Sequence, residues 1–213
     1  MAESEGEASG LELPAGEVLL AFWFGREPLL GKLLGERMRT WFSVDPVFDA
    51  ELRARFAPLV LEAAAGELDA WAASPRGRLA LILLLDQLPR NLYRGEPSVF
   101  ATDAQALAWT LTGIAAGLDR ALPPIERTFF YMPMQHAEDL GMQERGVALF
   151  QALAREAPPE LRPALEDSAA YAVLHRDLIA RFGRFPHRNR LLARAATADE
   201  EKFLAEGGAR FGQ

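Results

Sequence analysis

Residues 79–95 read LALILLLDQLPRNLYRG, and the fold turns on this stretch. Seven apolar residues, Leu79–Leu85, run without a polar break into a dense polar finish of Asp86, Gln87, Arg90, Asn91 and Arg94 around Pro89. A helix with no polar face is surrounded by other helices, so the segment near 75–88 is expected at the centre of the molecule. Pro89 removes a backbone donor, and its ring clashes with the carbonyl of Leu85, so the helix breaks or kinks around Asp86–Pro89. Asp86 then lies near a helix C-terminus, where the macrodipole disfavours an anion. It needs a cationic or hydrogen-bonding partner, and Arg90 and Arg94 are the nearest candidates. Asn91 suits the turn because its amide can bond the local backbone.

Outward from this centre, nearly every segment carries helix punctuation. Pro14 opens PAGEVLLAFWF, with Gly25 just past its end. Asp45 followed by Pro46 is an N-cap with Pro at the first helical position. It starts PVFDAELRARF, whose Val47, Phe48, Leu52 and Phe56 recur near the helical period. Ser74–Pro75 repeats the signal at the start of the central helix, and Thr102 or Asp103 caps AQALAWTLTGIAAG. Further helices fit 124–131, 135–156 and 159–182, the last stopped by Gly183. Thr197 and Glu200 form a capping box for the final one. In 159–182, Leu161, Leu165, Ser168, Ala172, His175, Ile179 and Phe182 form a packing seam. No segment sustains the alternation of a strand. The expected fold is all-α, with stacked antiparallel helical hairpins because short connections favour antiparallel neighbours.

At 213 residues, half of them hydrophobic, the chain is long enough for one domain with a real core. Residues 14–206 are assigned to that domain, 1–13 to a disordered acidic tail and 207–213 to a C-terminal tail. The net charge is −7, but residues 1–17 carry five Glu and no base, leaving about −2 for the rest. A chain with no broad basic face is a poor match for nucleic acid. The longest apolar run is far below the ~20 residues that cross a bilayer, and the N-terminus lacks the basic and apolar regions of a secretory signal. No membrane is expected as a partner, and the expected compartment is the cytoplasm. With no cysteine, disulfides and thiolate chemistry are excluded.

The segment IARFGRFPHRNRLLAR (179–194) echoes the opening stretch: an apolar helix ends, and a proline is followed by Arg188, Asn189 and further bases. Residues 175–194 carry six Arg against one Asp, and in an acidic chain these guanidinium groups need carboxylates elsewhere or an anionic ligand. In the first case they pair with Asp86, Asp103, Glu138 or Asp139 and latch helices together. In the second they build a site.

Several long motifs resemble one known family in the same order: VLLAFWFG (18–25), LLLDQLPRNLYRG (83–95), FATDAQAL (100–107), FFYMPMQHAEDLGMQ (129–143) and HRDLIARFGRFPHRN (175–189). Together they resemble the bacterial family labelled domain of unknown function 924, across almost the whole chain beyond the acidic tail. The resemblance implies a helical fold like that of tetratricopeptide-repeat proteins, although the repeat consensus is absent here. The stretch AATADE (195–200) departs from the family pattern, where a Ser is expected before Thr197. The family carries no function to transfer.

Established chemistries find little support. Ser168 and His175 are seven residues apart, roughly 10 Å along a helix axis at 1.5 Å per residue, too far for a serine triad. GKLLGERM (31–38) lacks the spacing of a phosphate-binding loop. His136, His175 and His187 show no metal-ligand spacing on one helix, and neither metal nor cofactor is expected. His136, beside Glu138 and Asp139, reads as part of a helix N-cap, and His175 as a hydrogen-bonded histidine on an apolar seam.

Two functions remain. In one, a helical binding module takes a peptide or partner protein, a reading that rests on fold alone. In the other, an enzyme or small-molecule binder holds an anionic ligand with Arg90, Arg94, Arg184 and Arg188. The remaining candidate ligand contacts are Asp86, Asn91, Asp103, His136, Glu138 and Asp139 on one side, and His175, His187 and Asn189 on the other. A module spreads such residues along an exposed groove, whereas an enzyme converges them in one pocket with shifted pKa values.

Overall fold

The computed structural model describes residues 14–209 and 211, so the acidic tail expected over 1–13 lies outside the described residues. The described chain is all-α, with no strand. Its first half contains α1 (Ala15–Phe24), α2 (Gly31–Phe42), α3 (Pro46–Ala64), α4 (Pro75–Leu85) and α5 (Gln87–Leu92). The second half contains α6 (Asp103–Ala115), α7 (Pro124–His136), α8 (Leu140–Glu156), α9 (Arg162–Phe182) and α10 (Ala198–Ala205). No described helix is long and apolar enough to cross a membrane.

α4 is the centre. Every residue from Leu79 to Leu85 is fully buried, and the helix packs against α1, α3, α6 and α7. Each buried leucine contributes roughly 1.5–3 kcal/mol of apolar transfer energy. Ser74 caps the helix by accepting from the Gly77 N–H at 3.1 Å. The break that follows is tight. Asp86 takes φ −117° and ψ −62°, and α5 restarts at Gln87. Pro89 therefore falls in the first turn of α5, where its missing N–H removes no intrahelical bond. The Leu85 carbonyl that Pro89 leaves without a backbone donor accepts the Thr102 hydroxyl at 2.6 Å instead. Thr102 thus ties α6 to the break, and its side chain makes no cap for its own helix.

Two helices continue through prolines where the sequence suggests an end. α3 passes Pro58 to reach Ala64, and α7 passes Pro133 to reach His136. An internal proline costs ~3 kcal/mol. In α3 that cost is offset by burying Val60 and Ala63 beyond it, and in α7 by Met134 and Gln135. Val47, expected on the inner face of α3, is 78% exposed; Asp45 caps the helix with Phe48 turned inward. The extension of α7 matters most. It moves His136 from the expected start of α8 to the end of α7, while Asp139 caps α8 by accepting from the Met142 N–H at 2.7 Å.

α9 folds back along α8 through a short link, and Gly183 (φ 71°) ends it in the left-handed conformation that glycine adopts without strain. Around this end of α9 a small second core gathers Leu178, Ile179 and Phe185, with Phe182, Phe203 and Phe211 packed on it. Phe211, in the stretch expected as a C-terminal tail, stacks its ring 3.6 Å from that of His175.

Candidate functional site

The break after α4 places a carboxylate in the interior. Asp86 is fully buried and accepts from Gln87 Nε2 at 2.6 Å and from His136 Nδ1 at 2.7 Å. The Arg90 guanidinium stands 3.2 Å away. Burial by itself would raise the Asp86 pKa, but Arg90, then His136 and Gln87, hold it well below the usual carboxylate range. An ionised carboxylate only accepts, so His136 carries its proton on Nδ1 and leaves Nε2 as a bare acceptor. Burial first, then the Arg90 charge, lowers the His136 pKa, so the ring is neutral near pH 7.

Arg90 continues the chain of contacts. It donates to the Asp86 backbone carbonyl at 2.6 Å and grips Asp103 with two nitrogens at 2.9 and 3.1 Å. This fork geometry is the strong form of the arginine–carboxylate pair. The latch that local reasoning assigns to Arg90 and Arg94 together belongs to Arg90 alone. Arg94 turns the other way and pairs with Asp49 of α3 at 2.8 Å. Asn91 joins it there, donating to Asp49 at 2.7 Å rather than to local backbone.

The second polar segment arrives at the same place. Arg188 reaches Asp103 with one nitrogen at 3.4 Å, so Asp103 joins the two proline-broken segments. The Arg188 guanidinium lies between the rings of Phe100 and Phe185, at 4.4 and 4.5 Å, a stacked cation–π arrangement. Its Nε is buried with no hydrogen-bond partner among the described residues. Burial pushes its pKa down to about 10, only partly offset by Asp103. This is a guanidinium whose hydrogen-bonding capacity is largely unused.

A cavity of about 560 Å³ opens over these groups, between the end of α2, α5, the end of α7, α9 and the 185–188 turn. Its lining includes Arg90, Asn91 and Arg94 from α5 and just beyond it, and His136, His175, His187 and Arg188 from α7, α9 and the 185–188 turn. Trp41, Phe42, Phe100 and Phe211 supply apolar wall. His175 donates Nδ1–H to the Tyr171 carbonyl at 2.7 Å, and burial pushes its pKa down to about 3, so it too is neutral. The volume falls within the roughly 300–1,000 Å³ range of small-molecule pockets.

Six expected contacts do not line this cavity, the buried Asp86 and its neighbour Asp103 among them. Glu138 accepts from the Phe185 N–H at 2.8 Å and from Arg194 at 2.5 and 3.0 Å, fastening the 183–194 segment to the end of α7. Those bonds outweigh burial and lower the Glu138 pKa. Asp139 is the α8 cap. Arg184 makes a two-nitrogen pair with Glu200 of α10 at 2.7 and 2.8 Å. Asn189 accepts from Arg194 at 3.0 Å. These residues form the latch, and Asp86 and Asp103 form a layer beneath the cavity floor.

Asp49, Phe100 and Phe211 were not among the expected contacts. The one signal for Asp49 was the charge that the 86–94 segment cannot balance within itself. Phe211 gave none, since a lone aromatic after Gly207 and Gly208 has no periodicity to read.

The model of a bacterial protein family of unknown function, DUF924, matches residues 19–208. A solved structure, that of the protein of unknown function ATU0120 from Agrobacterium tumefaciens, is 37% identical to this chain. That similarity covers 90% of this chain and 97% of the other, with a TM-score of 0.76. No protein with a curated description matches. The motifs around Asp86, His136 and Arg188 all lie inside the matched region, and the chain belongs to the DUF924 family of bacterial proteins of unknown function.

Proposed function

We propose that the protein binds a small organic anion, carboxylate- or phosphate-bearing, in the cavity over Asp86 and Asp103. One observation carries the reading. Arg188 is a buried guanidinium clasped by two aromatic rings; among the described residues its Nε has no partner and its one polar contact is at 3.4 Å, to a carboxylate that Arg90 already holds bidentately. A buried charge costs several kcal/mol unless it is paired and hydrogen-bonded. A ligand oxyanion would complete it with charge-assisted bonds, and the aromatic wall would cover the ligand's apolar body. Support over a peptide-binding groove comes from convergence: arginine and histidine from α5, α7, α9 and the 185–188 turn line one cavity.

A thermal-shift comparison tests the reading, with phenylphosphonate and benzoate as probes against wild-type and Arg188→Met protein. A ligand at 100 times its Kd adds about 2.7 kcal/mol, worth roughly 5–10 °C for a chain of this size. The wild-type protein should gain a shift of that order with at least one probe, and the variant should not. Equal shifts in both proteins, or none with either probe, would contradict the proposal.

A further inference from the structure

The anion anchor does not use His136, and His136 is the most specifically prepared group in the cavity. Its Nδ1 is bound to a carboxylate that is fully buried and braced from three sides by Arg90, Gln87 and the imidazole itself. The ring extends to the cavity lining with the side chain 15% exposed, so Nε2, opposite the nitrogen on Asp86, is the one available to a ligand. A carboxylate that fixes the tautomer and orientation of an imidazole, and stabilises it when it gains a proton, is the arrangement of a general base.

We infer that the cavity is catalytic: His136 is a general base, positioned by Asp86, that directs water at an ester bond of a substrate whose anionic group is held by Arg188. The inference rests on the reading of the cavity as an anion site. Of the two serines that line the cavity, Ser168 donates to the Ala164 carbonyl at 2.9 Å, and neither it nor Ser43 is hydrogen-bonded to His136, so water is the assigned nucleophile. In the first step a water O–H proton passes to Nε2 while the water oxygen forms a bond to the acyl carbon. The carbonyl π pair moves onto its oxygen, and the resulting imidazolium is paired with the Asp86 carboxylate. The tetrahedral intermediate then expels the alkoxide, which takes the proton back from Nε2. The net change is ester plus water to carboxylic acid plus alcohol, and His136 returns to its starting form.

The charged and titratable groups around His136 are Asp86 and Arg90 at the α4–α5 junction, Asp103 on α6 and His175 on α9, with His187 and Arg188 of the 185–188 turn lining the same cavity. Asp86 raises the proton affinity of His136, while burial and Arg90 lower it. The rate should therefore rise through a pH below the usual histidine value and stay level at neutral pH. Replacing Asp86 with Asn should move that rise to lower pH as well as slow the reaction, because the group that favours imidazolium is lost. A role in folding alone would not displace the profile.

The test uses the full chain with mono-4-nitrophenyl glutarate, an activated ester with a free carboxylate, following nitrophenolate release. Binding of phenylphosphonate is measured separately by calorimetry. Wild-type protein should show saturable hydrolysis, competitively inhibited by phenylphosphonate, with kcat/KM ~10²–10⁴ above that of His136→Gln. Added imidazole should restore part of the rate to His136→Ala, provided that variant melts as a folded protein, and His136→Gln gives the same comparison if it does not. If phenylphosphonate binds but wild type and His136→Gln hydrolyse the ester equally, the catalytic inference is wrong and the anion site stands. If neither binding nor saturable hydrolysis is seen, both readings fall.

Discussion

Arg188 and Asp103 meet at 3.4 Å across 85 residues of sequence, and that contact joins the two proline-broken segments of the chain. The same carboxylate holds Arg90 at 2.9 and 3.1 Å, so the two arginines share one partner on unequal terms. Arg90 is fully engaged. Arg188 is buried, stacked and largely unbonded, and this inequality separates structure from function in the site.

The inequality predicts opposite outcomes for equivalent substitutions. Arg90→Met should destabilise by about 3–5 kcal/mol, because it strips the buried Asp86 and Asp103 carboxylates of their cation. Arg188→Met keeps the packing between Phe100 and Phe185 and removes an underpaired charge, so it should change stability by less than about 1 kcal/mol or raise it. Urea denaturation of the two variants is the check, and similar losses in both would mean that Arg188 belongs to the latch.

His175 makes a pH prediction. Its folded-state pKa is lowered to about 3 by burial, whereas the unfolded chain protonates near 6.5. Between these values the unfolded state binds the extra proton, so stability is full above pH 6.5 and is lost as pH falls toward 3. The slope from one such group is about 1.4 kcal/mol per pH unit. His175→Leu should flatten the fall in stability between pH 6 and pH 4, relative to wild type, by about that slope. An unchanged slope would show that the imidazole is not buried in its neutral form.

Gly113 sets two effects against each other. In a helix interior Gly→Ala gains up to ~1 kcal/mol of propensity. Here an added Cβ would fall 2.5 Å from the Phe130 ring and 2.7 Å from Arg78 Cδ, so α6 could no longer sit against α7. Overpacking of that kind costs typically 1–3 kcal/mol. Gly113→Ala should therefore lower the melting temperature, and a rise would show that Phe130 and Arg78 give way freely.

Much of the architecture was legible because its signals are local. The all-round apolar run Leu79–Leu85 identified the central helix, and the caps Asp45, Ser74 and Thr197 marked helix starts that the structure retains. Pro58 and Pro133 misled because their cost is local, while the burial that offsets it lies in tertiary contacts no single segment displays. The second of these displaced His136 by an element and hid its approach to Asp86. Within the site, the polar composition of 86–94 and 184–190 was visible, and the choice of partners was not. Arg94 with Asp49, Arg184 with Glu200 and Arg194 with Glu138 are all decided by which helix ends meet.

Phe211 fills one side of the cavity against His175, at 3.6 Å, and Phe185, at 6.1 Å. Phe211→Ala should enlarge the space over Arg188 and speed the association of phenylphosphonate without abolishing its binding. Stopped-flow fluorescence of the cavity tryptophan, Trp41, would follow it. A loss of binding in this variant would make Phe211 part of the ligand contact instead of a cover.

Calorimetric titration of phenylphosphonate into wild-type and Arg188→Met protein, at low and moderate salt, tests whether Arg188 is an anion anchor. A charge-assisted contact contributes about 1.5–3 kcal/mol, a factor of roughly ten to a hundred in affinity. Wild-type protein should bind one-to-one with an affinity that weakens with salt, and the variant, still fully folded, should bind at least tenfold more weakly. Equal affinity in the two proteins, or no binding to wild type, would contradict it.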